Sequence, residues 1–156
     1  MDSSAFTDSG LAFSAGARHT VASEGQAHLH LENPSDSGFN IYIAGFSAFT
    51  GETARAQISF FTGSTSPGSV VAKFNHDVGN ANPGVAIIKT GAVPLNGGTE
   101  LSPRAGVTSR DNFKFESGLL VRVTPGQTVA MLCRRPSGLS GSEDIDLNVH
   151  WLEAPV

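Results

Sequence analysis

At 156 residues the chain fits one domain, long enough to bury about 68–70% of its unfolded surface in a single core without disulfide or metal staples. Ten Lys and Arg against 14 Asp and Glu leave a net charge of −4, with no basic run longer than Arg134-Arg135, which argues against nucleic acid or a membrane as the main partner. Charged residues are only 15%, while Gly numbers 18, Pro 8 and Phe 10, a composition of strands and loops rather than helices.

Residues 1–9 are small and polar with Phe6 as their one anchor, and read as a flexible or partner-ordered N-terminal arm ahead of a single β-sandwich domain over residues 10–156. MDSSAFTDSG has no basic region followed by an apolar stretch, and no apolar run approaches membrane-spanning length, so the product is expected to be made and kept in soluble form. Strands begin in earnest after Gly25. Ala27, Leu29 and Leu31 alternate with His28, His30 and Glu32, and the dense turn signal of residues 33–38 ends the strand. Phe39, Ile41 and Ile43 alternate next with Asn40, Tyr42 and Ala44, and Gly45 is expected to bend or bulge that strand.

Residues 54–61 form a further strand, with Ile58, Phe60 and Phe61 pointing to burial on both faces. Shorter strands follow at 70–74 and 85–89, separated by the irregular NHDVGNANPG; the polar stretch from Asn96 through Thr108 reads as surface loop, and 112–116 as a brief strand. The strongest alternation lies in Gly118 to Arg135. A loop of Pro125, Gly126 and Gln127 would pair Val123 with Val129, Val121 with Met131 and Leu119 with Cys133, putting both apolar rows on one face of a hairpin at the centre of one sheet. Cys133, the lone cysteine, falls in that row and reads as a buried, inert thiol. The last run sets Ile145, Leu147, Val149 and Trp151 against Asp144, Asp146, Asn148 and His150, so one of its faces is wet. The expected fold is all-β: a two-sheet antiparallel β-sandwich of about eight to ten strands on a jelly-roll-like path. An immunoglobulin-like path is second, and lacks its Cys and Trp signature.

Individual residues carry little chemistry. His28 and His30 share a strand face and are the weak candidates for a metal, as in cupins. Gly25 is too close to them, however, Glu32 follows too soon, and no His comes after Pro125-Gly126 in the next strand. The pair therefore reads as the exposed polar face of a strand. No Gly-x-Ser-x-Gly occurs, Asp144 and Asp146 read as a solvated face, and no catalytic residue or cofactor is assigned. Tyr42 is the only Tyr, which argues against an aromatic platform for sugars.

Three segments carry a resemblance. LENPSDSGFNIYI, VPLNGGTELSPR, and GLLVRVTPGQTVAML followed by DLNVHWLE resemble the Asn-Pro opening, the Gly-Gly-Thr loop and the closing Pro-Gly and Trp-x-Glu strands of small virion proteins from tailed bacteriophages. Together they span residues 31–153. The chain departs from that pattern in its single Trp in the last strand and its longer loop around Ser137 to Glu143. The resemblance implies a non-enzymatic capsid decoration or cement protein, commonly a homotrimer, made in the host cytoplasm and resident on the capsid surface of the virion. Its partners would then be the major capsid protein and itself, with no nucleic acid and no membrane. Interface candidates are Phe6, Phe46, Phe49, Phe60, Phe61 and Trp151. Two alternatives stand beside it: a head-fibre or tail-associated module that binds a host glycan, and a cupin-like metal-binding enzyme.

Overall fold

A computed structural model describes residues 11–50, 56–101, 105–107, 113–114 and 121–156. The N-terminal arm of residues 1–9, and with it Phe6, lies outside the described residues. The strands in chain order are β1 (Ala12–Ala22), β2 (Gln26–Glu32), β3 (Phe39–Thr50), β4 (Ala56–Thr62), β5 (Ser69–Val70), β6 (Phe74–Asn75) and β7 (Ile87–Gly91). They continue as β8 (Thr99–Glu100), β9 (Ala105–Val107), β10 (Phe113–Lys114), β11 (Val121–Val123), β12 (Thr128–Arg134) and β13 (Ser142–Pro155). Of these thirteen strands among the described residues, nine have three residues or more.

Two antiparallel sheets result. Sheet A runs β10-β3-β13-β1-β6 with β11 also on β3, and sheet B runs β5-β7-β2-β12-β4-β8 with β9 also on β4. Their central strands, β1-β13-β3-β11 and β2-β12-β4-β9, alternate between the sheets in jelly-roll order. Between β4 and β9 the chain makes an excursion that adds β6 beside β1 and β7 beside β2, so both sheets are extended at the same margin.

The core lies between the sheets. The inward row of β13, Ile145, Leu147, Val149 and Trp151, is fully buried, and so is that of β2, Ala27, Leu29 and Leu31. On β3 the inward parity changes partway along: Ile41 and Ile43 are buried, then Phe46, Ala48 and Thr50. The change falls where Gly45 pairs with His150 and Ile43 with Trp151, leaving Ala44 as the extra residue of a bulge. The bend expected near Gly45 is this bulge. With regular pleating the inward row would continue through Phe49 and expel Phe46; with the bulge, Phe46 meets Phe60 across the core at 5.5 Å between ring centroids, and Phe49 faces out, 40% exposed.

Three expectations are corrected. β11 and β12 do not form a hairpin, because β11 pairs with β3 in sheet A and β12 with β2 and β4 in sheet B. Their apolar rows meet across the sandwich instead of along one sheet, and Pro125-Gly126 turns the chain from one layer to the other. Gln127 N–H donates to Thr124 C=O at 3.0 Å and Gly126 has φ 82°, a type II turn with Pro at its first central position. The segment before Gly25, passed over in the sequence, is the eleven-residue β1. The stretch read as loop to Thr108 contains β8 and β9.

Asn33 ties the corner beside that turn. Its buried side-chain amide donates to Phe39 C=O and Val123 C=O, both at 2.8 Å. Its backbone N–H donates to Gln127 C=O at 3.0 Å, and its own C=O accepts from Gly126 N–H at 2.8 Å. One residue thereby joins the end of β2, the start of β3 and the link from β11 to β12.

Candidate functional site

Outward residues of sheet A form a grid, because antiparallel register places them in rungs across the strands. One rung is Gly45, His150, Ser14 and Phe74; the next is Ser47, Asn148 and Gly16; the third is Phe49, Asp146 and Arg18. Together they shape an open trough of about 520 Å³, lined by most of these side chains and the β1 backbone, a volume in the range of ligand clefts. Phe49 and Phe74 stand at diagonal corners, 40% and 66% exposed. The outer face of sheet B, by contrast, has a hollow of only about 20 Å³ around Gln57, Ser59, Phe61, Leu132 and Arg134, room for about one water.

The trough floor is polar and its charges are matched. Arg18 donates to both carboxylate oxygens of Asp146, at 2.7 and 2.9 Å, the bidentate geometry that a guanidinium favours. Thr20 donates its hydroxyl to Asp144 at 2.7 Å. Asn148 folds over Gly16, where any Cβ would collide with its amide oxygen, so the glycine keeps the floor low. His150 meets His76 edge-on at 6.0 Å, and burial holds its pKa below the ordinary value.

His28 and His30, the metal candidates, are elsewhere. They share the outer face of β2, as their spacing requires, but they are buried rather than exposed, because residues from the excursion cover them. His28 Nδ1 contacts Val93 C=O at 2.8 Å and Nε2 contacts Ser66 Oγ at 2.6 Å, while His30 Nε2 contacts Ser64 C=O at 3.0 Å. Donation to the two carbonyls fixes the neutral tautomers as Nδ1–H in His28 and Nε2–H in His30. Only His30 Nδ1 is left without a partner. The rings work as pins for the covering loop, and no group of three or more metal-ligating side chains occurs among the described residues.

No protein-family model, curated protein or solved structure matches this chain.

Among the interface candidates, Phe46, Phe60 and Trp151 are core residues at 3%, 8% and 1% exposure, with Trp151 stacked on Phe13 at 5.7 Å. They have almost no surface to offer a partner. Phe61 is half-buried on sheet B, and Phe49 is exposed at the trough. The sequence did not single out Ser14, Gly16 and Arg18 because β1 was not recognised, nor Phe74 because the strand expected at 70–74 is split between β5 on sheet B and β6 on sheet A. The signal was present in the alternation of Phe13, Ala15 and Ala17 with Ser14, Gly16 and Arg18, muted by three small residues that carry little hydrophobic contrast.

Proposed function

We propose that this chain is a virion structural protein, a decoration or cement protein on the outer surface of a tailed-phage head. The observation that supports the reading is that the Asn-Pro and Trp-x-Glu motifs coincide with joints of a jelly roll. Asn33 of the Asn-Pro motif knits β2, β3 and the turn before β12. Trp151 and Glu153 of the Trp-x-Glu motif fasten the excursion. The resemblance therefore rests on residues that such a fold needs, and the excursion exposes Val70, Phe74 and Val78 as apolar surface for a shell subunit or a second copy. Binding only the expanded shell would stabilise that state by mass action, with no chemistry required. The test is to add purified protein to emptied, mature capsids of the phage that encodes it. Fixed stoichiometric uptake with a raised rupture temperature is expected; a protein that neither binds capsids nor co-purifies with particles is not a decoration protein.

A further inference from the structure

The geometry points to a second capacity, independent of the capsid reading: we propose that the outer trough of sheet A binds a neutral oligosaccharide, held between Phe49 and Phe74 over the polar floor of β1 and β13. Three features carry this together. The first is the aromatic pair. Phe49 is turned outward by the bulge at Ala44, and Phe74 is brought to the opposite corner by β6 pairing Phe74 with Ser14. Exposed rings at both ends of a trough offer faces to the C–H surfaces of a sugar ring, a weakly polar contact that does not need charge. From strand spacing and rise, the two corners are roughly 20 Å apart along the diagonal, which suits a short linear oligosaccharide better than a single ring.

The second feature is the floor. Ser14, Asn148, His150 and the Arg18–Asp146 pair line it, and planar amide, carboxylate and guanidinium groups present paired donors and acceptors of the kind adjacent hydroxyls require. Among the described residues, neither the Ser14 hydroxyl nor the Asn148 amide is engaged by another side chain. The third is charge. Arg18 and Asp146 satisfy each other, and Asp144 one rung on adds negative charge, so an anionic polymer finds no free counter-charge, while a neutral, hydroxyl-rich ligand complements the polar lining. An apolar peptide or helix would bury these polar groups without partners, at a cost that disfavours it.

The probes are maltohexaose, cellohexaose and chitohexaose, titrated at up to millimolar concentration into the intact chain while backbone amide shifts are followed by NMR. At least one should shift the amides of Ser14, Gly16, Phe49, Phe74 and Asn148. Phe49→Ala with Phe74→Ala should weaken binding by roughly tenfold or more, with the fold retained, as a dispersed amide spectrum of the variant would show. Asn148→Ala should weaken it without touching either ring. Silence with all three sugars, or binding insensitive to the ring substitutions, overturns the proposal. So does sedimentation showing a wild-type oligomer that the double variant converts to monomer, since the occupant of the trough is then a second copy. Capsid uptake by Asn148→Ala, which leaves both rings in place, separates the two functions: a variant that still decorates heads but has lost the sugar leaves the capsid reading intact.

Discussion

Trp151 donates its indole N–H to the carboxylate of Glu153 at 3.0 Å, and both side chains are buried at 1% exposure on β13. The same carboxylate accepts from Val85 N–H at 2.9 Å through each oxygen and from Ala86 N–H at 3.1 Å. Lys73 grips the segment from its other side, donating to Gly84 C=O at 3.0 Å and Ala86 C=O at 2.6 Å. The returning limb of the excursion is thus clamped by its donors and its acceptors, just before it becomes β7.

Removing the carboxylate leaves buried N–H groups and the indole without acceptors. Glu153→Ala is expected to lower stability by about 3 kcal/mol and Tm by roughly 6–12 °C. Trp151→Phe, which keeps the stack on Phe13 but loses the donor, should cost less, about 1–2 kcal/mol. Gly84→Ala should also destabilise, because Gly84 has φ 64° and a Cβ would come within 2.9 Å of the Glu153 Oε1 and 3.0 Å of the Phe13 ring. Urea denaturation of the three variants checks this; an unchanged midpoint for Glu153→Ala would show that the clamp holds nothing.

Acid should loosen the cover over sheet B. Burial holds the imidazoles of His28 and His30 below their ordinary 6.5, with the Val93 and Ser64 carbonyls opposing it in part. A folded-state pKa below the unfolded one means that unfolding takes up protons, so this contribution is present in full above about pH 6.5 and is lost as pH falls through the folded values. His19 and His150, also lowered by burial, act in the same direction. The urea midpoint should therefore drop between about pH 7 and pH 5. In a His28→Gln/His30→Gln variant the drop should be shallower, and an identical slope would assign the acid sensitivity to other groups.

Cys133 should be silent in the native state. It is fully buried on β12, and desolvation pushes its thiol up to about 12, so almost no thiolate exists at neutral pH. A chromogenic disulfide reagent is expected to react only at the rate of unfolding, with one equivalent released in denaturant. Rapid labelling of folded protein would contradict the packing of β12 between β2 and β4.

The sandwich was legible wherever apolar and polar residues alternate with strong contrast, as at Ala27 to Glu32 and Asp144 to Trp151. Of the wet row, Asp146, Asn148 and His150 proved to line the trough. β1 was not legible, because Ala15, Gly16 and Ala17 carry little contrast and its pairing partner β13 lies over a hundred residues away. The burial of His28 and His30 was hidden for a related reason. A polar outer face looks solvated until a loop from elsewhere in the chain is known to lie on it, and loop placement leaves no period in a sequence. Val123, Val129, Met131 and Cys133 were read correctly as core but assigned to one sheet, since parity fixes which face a side chain takes and not which layer the strand joins; Leu119 of the same row lies outside the described residues.

The jelly-roll order also sets when the molecule can exist at all. In sheet B the middle position between β2 and β4 belongs to β12, and in sheet A the one between β1 and β3 belongs to β13. Both strands follow every strand they separate. A nascent chain has therefore made all its flanking strands before either keystone emerges from the ribosome, and must leave the edges of β1, β2, β3 and β4 that face the keystones open until then. Nucleation is consequently non-local and slow, and the waiting chain exposes open strand edges to its neighbours on the polysome. Dense co-expression of this protein is where such edges would meet first, and a chaperone that shelters the early strands would raise the yield more than any change to the finished core.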